Sequence, residues 1–161
     1  MVTCVDTNVI SYLLLDADPD KAAAAQTALD NASGAGRIVV CGPVFAELLA
    51  AGAWDQPALL AGLSAMRLDL ELDFDRHVWV GASVAYARYL AARRPADYTC
   101  PRCLARQRFR CRQCGQELSR PKHVLSDFLI GAFAQSREYA LLTDDVGIYQ
   151  SFFPGLTLNA M

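Results

Sequence analysis

The sequence predicts an α/β protein in which helices cover both faces of a parallel β-sheet. Three short apolar runs have the length of buried strands: VTCV at 2–5, RIVVC at 37–41 and ALLT at 140–143. Stretches with apolar residues at helical spacing lie between them. Strands that alternate with helices favour a parallel sheet, because each connecting helix packs back onto it.

The first part of the chain alternates in this way from its start. The strand at Val2–Val5 runs directly into a helix that extends to about Leu15. Asp18 and Pro19 are typical of a helix start, and Asp55 is expected to cap another helix. The further elements predicted up to residue 92 are helix 21–31, strand 37–41, a helix from Pro43 that carries Glu47, helix 56–67, a half-exposed strand or connector at 68–74, and helix 75–92.

The composition changes at about residue 95 and returns to the earlier pattern after residue 121. We therefore divide the chain into a domain's first part at 1–94, an insertion at 95–121 and the domain's second part at 122–161. The second part is expected to contain a helix at 124–136, a strand at 140–143 that ends on two aspartates, a short helix at 148–152 and a final extended stretch, LTL.

Composition excludes several classes of protein. The chain has 161 residues, of which 53% are hydrophobic and 20% charged, so it can bury a core and is not disordered. No apolar run approaches the length of a membrane span. The N-terminus enters a strand without a basic leader, which leads us to expect a cytoplasmic protein with free thiols.

The net charge of −2 conceals a strong asymmetry. Between Arg93 and Lys122 nine basic residues stand against two acidic ones, a net charge of +7. The remainder has six basic and fifteen acidic residues, a net charge of −9. A compact basic segment on an acidic body suggests a polyanionic partner.

Four carboxylates share a similar local context. Each is next to residues expected to be buried, and none has a Lys or Arg within four positions; they are Asp6, Glu47, Asp127 and Asp145. The three aspartates could each simply cap a helix, a common role for this residue. Glu47 lies within an apolar helix, where an unpartnered carboxylate is costly to bury.

Clustered carboxylates would repel one another unless a cation compensates them. A ligand set made only of oxygens favours Mg²⁺ or Mn²⁺. Such a site serves the hydrolysis of phosphodiesters by an activated water and needs no protein nucleophile. The two histidines, His77 and His123, are therefore interpreted as surface or capping residues.

Four segments resemble the PIN-domain ribonucleases, in particular the VapC-type toxins of prokaryotic toxin–antitoxin pairs. They are VDTNVI, FAELLA, DFLIGAFAQ and LLTDDVGIYQSFFPGL, and the resemblance covers nearly the whole chain except 95–121. The resemblance implies a three-layer α/β/α fold that cleaves single-stranded RNA with Mg²⁺ or Mn²⁺. It also implies a cognate antitoxin and a homodimer.

Carried over by position, the resemblance assigns roles to individual residues. The implied metal ligands and catalytic residues are Asp6, Glu47, Asp127 and Asp145. Asn8 and Thr143 fall at positions that help to order the site. Asp144 stands where a basic or polar residue is usual, so either Asp144 or Asp145 is the ligand. We favour Asp145, with Asp144 as an exposed or outer-shell acid.

The insertion contains two closely spaced cysteine pairs. Cys100 with Cys103 and Cys111 with Cys114 give the pattern CxxC-x7-CxxC, which predicts one structural zinc ion held by four thiolates. Disulfides are the alternative, and a catalytic zinc is disfavoured because four thiolates leave no open position. The remaining pair, Cys4 and Cys41, is expected in buried strands as small core residues.

The same insertion is a candidate for the RNA contact. Arginines alternate along it around one aromatic residue, in the order Arg102, Arg106, Arg108, Phe109, Arg110 and Arg112. Arginine suits phosphate, and an aromatic ring can stack on a base. In the alternative interpretation these arginines pair with the acidic body or serve a protein partner.

Together these observations lead us to expect a metal-dependent endoribonuclease that leaves 5′-phosphate and 3′-hydroxyl ends. Two other functions stay open at this point. The first is an RNA- or protein-binding module with an idle acidic site, and the second is a housekeeping RNA-processing nuclease.

Overall fold

The computed structural model describes residues 1–14, 18–92, 98–100, 102–103, 105–116 and 123–161. Its strands are β1 (Val2–Val5), β2 (Arg37–Cys41), β3 (Leu68–Glu71), β4 (Tyr98–Thr99), β5 (Arg106–Gln107), β6 (Ala140–Thr143) and β7 (Leu158–Ala160). Its helices are α1 (Thr7–Leu14), α2 (Pro19–Ala35), α3 (Gly42–Ala50), α4 (Gln56–Ala65), α5 (Arg76–Ala92), α6 (Leu125–Ser136) and α7 (Val146–Phe152).

Five strands form one parallel sheet in the order β3-β2-β1-β6-β7, which confirms the predicted α/β class. The final LTL stretch contributes its end to β7, and the stretch at 68–74 forms a strand only to Glu71. The sheet contains strands from both sides of the insertion, since β6 pairs with β1. The short strands β4 and β5 form a separate antiparallel pair.

Strand β1 lies at the centre of this sheet. Its residues Thr3, Cys4 and Val5 are buried, as expected for a strand covered on both faces. The chain proceeds from β1 to β2 and β3 on one side, while β6 and β7 lie on the other. A crevice therefore forms at the carboxyl ends of β1 and β6, the place where ligands bind in open parallel sheets.

Helix α6 is fixed by tight packing against the segment after α7. A Cβ atom at Gly131 would lie 2.5 Å from Cε2 of Phe153, so only glycine allows this approach. Phe128 of the same helix is buried and has its ring 5.4 Å from that of Tyr89 and 5.8 Å from that of Phe152. This packing determines where the first turn of α6, with Asp127, meets the sheet.

Two helices begin at residues whose side chains explain the start. Asp18 accepts hydrogen bonds from the backbone N–H groups of Asp20 and Lys21, with Pro19 at the first helical position. Asp55 accepts one from Ala58 in the same way. Within the described residues, none of the helices combines the length and apolar character needed to cross a membrane.

Candidate active site

The four carboxylates that the sequence singled out line one small cavity, which we call the acidic cleft. Its volume is about 270 Å³, and it lies beyond the carboxyl ends of β1 and β6. None of the residues that line it is Lys or Arg. The lining residues are Asp6, Thr7, Asn8, Ser11, Glu47, Asp127, Asp145, Ile148 and Tyr149.

Asp6 is the most deeply buried of these acids. It follows β1 directly, and its backbone N–H donates to the carbonyl of Leu142 at 2.9 Å, which extends the pairing of β1 with β6. Its Oδ2 accepts hydrogen bonds from the hydroxyls of Thr143 at 2.7 Å and Tyr149 at 3.1 Å. Its Oδ1 accepts one from the backbone N–H of Thr7 at 2.7 Å. These donors fix the carboxylate at the floor of the cleft.

Burial has a direct electrostatic consequence at Asp6. Loss of solvent raises its pKa from 3.8 to about 6, even though the hydrogen bonds from Thr143, Thr7 and Tyr149 favour the charged form. The nearby charge of Asp127 acts in the same direction as burial. Asp6 is thus a carboxylate whose charge the protein compensates only in part.

Glu47 lies in the middle of α3 and reaches the cleft from the side. One of its oxygens accepts a hydrogen bond from the hydroxyl of Thr7, and the other accepts one from Ser126. Both oxygens therefore have partners, which explains how a carboxylate is tolerated among the apolar residues of this helix. The two hydroxyls come from the starts of α1 and α6, so Glu47 joins three helices.

The carboxylates of Asp127 and Asp145 both lie close to the imidazole ring of His123. The Nδ1 atom of His123 lies 3.7 Å from Oδ2 of Asp127 and 3.6 Å from Oδ2 of Asp145. The other interaction of Asp127 is a 2.8 Å hydrogen bond from the backbone N–H of Val124 at the start of α6. Burial raises the pKa of Asp127, and the charges of Glu47 and Asp145 add to this effect.

Asp144 has a different environment from its neighbour. It is exposed, and its Oδ2 accepts hydrogen bonds from Tyr12 at 2.8 Å and from Lys21 at 3.2 Å. These bonds lower the pKa of Asp144, the Tyr12 bond most strongly. It does not line the acidic cleft, whereas Asp145 does.

Asn8 and Thr143 connect the ends of β1 and β6. The side-chain amide of Asn8 donates to Oδ2 of Asp6 at 3.2 Å and to the Thr143 hydroxyl at 3.4 Å. Its carbonyl oxygen accepts the backbone N–H of Asp144, and the Thr143 hydroxyl accepts that of Asp145. Both residues thus hold the turn after β6 against Asp6.

The donor set of the cleft suits a divalent cation. Four carboxylates supply oxygen ligands, two of them have raised pKa values, and no Lys or Arg lines the cavity to neutralise them. In the part of the chain that the structure describes, no group of three or more His, Cys, Asp or Glu side chains is already arranged to hold a metal ion.

That finding also applies to the four cysteines of the insertion, because Cys100, Cys103, Cys111 and Cys114 are all described and are free thiols. The predicted four-thiolate arrangement is not formed. Each pair instead makes its own turn. Hydrogen bonds from backbone N–H groups lower the pKa of Cys100, and the bond from Cys103 has the largest effect. The backbone N–H of Cys114 lowers the pKa of Cys111 in the same way. Spacing alone did not distinguish two separate turns from one converged site.

The proposed RNA-contacting residues lie on the surface of this same segment. Arg102, Arg108, Arg110 and Arg112 are exposed, and 45% of Phe109 is accessible. The backbone of Arg106 belongs to β5. The buried cysteines Cys4 and Cys41 lie in β1 and β2, as expected, and the Cys41 side chain and burial raise the pKa of Cys4.

Sequence reasoning missed four residues that line the cleft or lie in contact with its acids. Thr7 and Ser126 each adjoin a predicted acid, and Tyr149 lies four residues after Asp145, which were the signals available. His123, interpreted as a surface or capping residue, has only 12% of its side chain exposed and lies between two acids. The sequence signal for His123 was its position near a helix start, four residues before Asp127.

Comparison with known proteins identifies the fold. The family model described as PIN domain matches residues 3–99, which include Asp6 and Glu47. A comparison with curated proteins finds no match. Among solved structures, VapBC2 from Rickettsia felis bound to a DNA fragment from their promoter has a chain that is 16% identical with a TM-score of 0.59, covering 100% of this chain and 99% of that chain.

Two further solved structures give the same result. VapBC-1 from nontypeable Haemophilus influenzae is 15% identical with a TM-score of 0.60, covering 99% of this chain and 98% of that chain. FitAcB from Neisseria gonorrhoeae is 16% identical with a TM-score of 0.54, covering 98% and 96%. At these identities the likeness concerns the fold, while the family model spans more than half of the sequence. The chain belongs to the PIN-domain family.

Proposed function

We propose that the protein is an endoribonuclease that hydrolyses single-stranded RNA with the help of Mg²⁺ or Mn²⁺. The observation that carries this proposal is the acidic cleft, in which four carboxylates from distant parts of the chain share one cavity and none of the described lining residues is Lys or Arg. PIN domains are typically metal-dependent nucleases and generally use these two ions. The oxygen-rich donor set agrees with that preference.

The roles of individual residues follow from their contacts. Asp6, Asp127 and Asp145 are the proposed ligands of the catalytic ion, and Glu47 holds a second ion or orients the attacking water. The bound ion would activate water and stabilise the leaving oxygen. Thr143, Asn8 and Tyr149 keep Asp6 in place, since each donates a hydrogen bond to it. Asp144 stays outside the cleft as a surface acid.

RNA is the proposed partner, and the basic insertion is its proposed electrostatic contact. The body outside 93–122 carries a net charge of −9 and opposes a phosphate backbone. The arginines at 102, 106, 108, 110 and 112 supply the opposite charge, and Phe109 offers an exposed ring for stacking. In this proposal, 95–121 is an insertion between the two parts of the PIN domain, 1–94 and 122–161.

A cognate antitoxin is the proposed protein partner. The similar solved structures are VapBC complexes, one of them bound to a promoter fragment, and FitAcB. This supports a toxin of a toxin–antitoxin pair over a housekeeping nuclease. We also propose a cytoplasmic homodimer, on the basis of the family resemblance. Growth arrest on expression, relieved by a neighbouring small gene product, would test the toxin assignment, and growth without arrest would contradict it.

The structural zinc ion remains a prediction of cysteine spacing. Two features favour it: the paired CxxC pattern and the lowered pKa values of Cys100 and Cys111, which make thiolates easier to form. The separate arrangement of the two turns counts against it. Elemental analysis of reduced protein should find about one zinc per chain. Zinc-free protein with its fold intact would exclude the ion.

The test of the enzyme proposal is direct. Purified protein should cleave single-stranded RNA in Mn²⁺, lose this activity in EDTA and leave 5′-phosphate ends. The activity should vanish in Asp6→Asn protein purified in the same way, which excludes a contaminating nuclease. Binding of RNA without cleavage in Mg²⁺ or Mn²⁺ would instead favour the module with an idle acidic site.

A further inference from the structure

A second and larger cavity opens next to the acidic cleft, and we call it the apolar groove. Its volume is about 730 Å³, within the range of small-molecule sites. Its main apolar lining residues are Pro43, Ala46, Leu72, Phe74, Trp79 and Leu125. Three of these side chains remain largely accessible: 54% of Leu72, 52% of Trp79 and 41% of Leu125 are exposed.

Glu47 is the wall between the two cavities. It lines both of them, and its carboxylate oxygens point to opposite sides. One oxygen bonds to Thr7, which lines the acidic cleft, and the other bonds to Ser126, which lines the apolar groove. A ligand in the acidic cleft is therefore separated from the apolar groove by the side chain of Glu47.

The aromatic residues of the groove form a supported platform. The ring of Phe74 stacks on that of Phe133 with centroids 5.1 Å apart and planes 18° apart, and Phe133 is fully buried. Phe74 in turn meets Trp79 edge to face at 5.8 Å. Trp79 is thus positioned by a chain of rings that begins in the core, while half of its surface remains accessible.

The charges of the groove indicate what can enter it. Among the residues that the structure describes, its lining includes the carboxylates of Glu47 and Asp73 and no Lys, Arg or His. Such a surface repels phosphate and carboxylate groups but accepts an uncharged aromatic ligand. A nucleotide whose phosphate lies in the metal-loaded cleft carries its neutral base only a short distance away. Bases stack on aromatic side chains with little dependence on sequence.

We propose that the apolar groove binds an unpaired nucleobase adjacent to the scissile phosphate, with Trp79 as its stacking partner. This inference rests on the proposed ribonuclease function and adds to it a base-binding subsite. The subsite requires a single-stranded substrate, because a base held in a duplex cannot turn into the groove. Trp79 is a binding residue in this proposal and takes no part in the chemistry.

The test uses a six-nucleotide single-stranded RNA, in which any bond that is cleaved in Mn²⁺ is first mapped. Binding is measured in Ca²⁺, which also takes oxygen ligands, under conditions where gels show the RNA intact. Trp79→Ala should weaken binding roughly tenfold, the order expected for loss of one stacking contact. Trp79→Phe should retain most of the affinity. Val84→Ala is the matched control, since Val84 is also an exposed apolar residue of α5 but lies outside the groove.

Removal of single bases locates the contact. An abasic residue at one position next to the cleaved bond should lower affinity for the parent protein by a similar factor. The same abasic RNA should bind Trp79→Ala protein no more weakly than the intact RNA does. Equal affinity of parent and Trp79→Ala proteins, or losses that simply add, would overturn the proposal. The proposal would also be overturned if Trp79→Ala changed only the oligomeric state of the protein and not its affinity for RNA. The groove would then be a protein interface.

The binding assay separates this inference from the proposed enzyme activity. RNA cleavage by the parent without any dependence on Trp79 overturns the groove subsite alone. Base-dependent binding through Trp79 without cleavage in Mn²⁺ supports the subsite and overturns the nuclease. Absence of RNA binding overturns both.

Discussion

The acidic cleft and the cysteine-rich segment at 98–116 both gather possible metal ligands, but only the cleft is built into the core. Thr143 and Tyr149, which hold Asp6, are almost completely buried. The described residues at 100–116 include no buried side chain, and both CxxC turns lie near the surface. The difference shows that a sheet can bring together ligands from opposite ends of a chain, while close spacing alone does not.

The physical reason lies in the strand order. Asp6 and Asp145 are far apart in sequence, but each follows a strand whose carboxyl end lies at the same edge of the sheet. Parallel pairing of β1 with β6 therefore brings them to one crevice. The cysteine turns adjoin a strand pair, β4 with β5, in which each strand has two residues. Where a segment buries so little, a metal ion is a common source of order.

Replacement of a cleft acid should have the largest effect on activity. Asp145→Asn should lower Mn²⁺-dependent RNA cleavage by more than a hundredfold, because it removes a proposed ligand and not merely an outer-shell partner. Asp144→Asn is the matched control, and its activity should stay within about twofold, since that variant changes only an exposed residue whose partners, Lys21 and Tyr12, do not line the cleft. Equal loss in the two variants would show that the cleft assignment is wrong.

Removal of the hydroxyl that holds Asp6 should have the next largest effect. Thr143→Val deletes the donor to Asp6 and the acceptor for the Asp145 backbone N–H. Metal affinity, measured by calorimetry with Mn²⁺, should fall roughly 10- to 100-fold, as is typical for outer-shell residues. Thr143→Ser keeps the hydroxyl and should bind the ion nearly as well as the parent. A Thr143→Val protein with parental affinity would leave this hydroxyl without a role in the site.

The raised pKa of Asp6 predicts a specific dependence of stability on pH. Because the pKa of Asp6 is about 6 in the folded protein and 3.8 in the unfolded chain, folding favours the protonated form of this carboxyl. This contribution is fully present below about pH 3.8 and is lost as the pH rises through 6. From this group alone, the metal-free protein should lose about 2 kcal/mol of unfolding free energy between pH 4 and 7.

Asp6→Asn isolates that contribution. The variant has no charge to bury, so its unfolding free energy should change less over the same pH range, while other carboxyls act equally in both proteins. Its amide loses the hydrogen bond from Asn8, which costs about 1 kcal/mol at every pH. Mn²⁺ should stabilise the parent at pH 7 and leave Asp6→Asn nearly unchanged. Parallel pH profiles from denaturant unfolding would argue against a raised pKa at Asp6.

Much of the fold and part of the cleft followed from local patterns. The alternation of apolar runs and helical segments predicted a parallel sheet, which the structure confirms. Asp6, Glu47, Asp127 and Asp145 were recognisable because each is a polar residue in an apolar context. Their positions around one cavity agree with this, while their role as ligands remains a proposal.

Three supporting hydroxyls did not follow from the sequence, because their contacts depend on long-range pairing, whereas Asn8 and Thr143 were expected from the family resemblance. The hydroxyls of Thr7 and Ser126 meet Glu47 across 40 and 79 positions, and that of Tyr149 meets Asp6 across 143. No local spacing encodes such contacts. At the cysteines, a strong local pattern predicted one four-thiolate site, which the described residues do not show and which stays a prediction.

The smallest expected effect concerns the basic segment. If it contacts phosphates, replacing Arg106, Arg108 and Arg110 with Ala should flatten the slope of log affinity against log salt by up to about 2 units. Arg67→Asn is the control, because Arg67 lies outside the basic segment, just before β3, and asparagine tolerates its positive φ. An unchanged slope in the triple variant would indicate that the segment serves a protein partner or the acidic body.

The central claim is that the acids of the cleft hold a divalent cation, and counting bound Mn²⁺ tests it most directly. Electron paramagnetic resonance distinguishes free from bound Mn²⁺, so titrations give the number of ions per chain. The parent and Asp144→Asn proteins should each bind at least one Mn²⁺, and Asp6→Asn and Asp145→Asn should lose it while remaining folded. Identical Mn²⁺ binding by all four proteins would contradict the account.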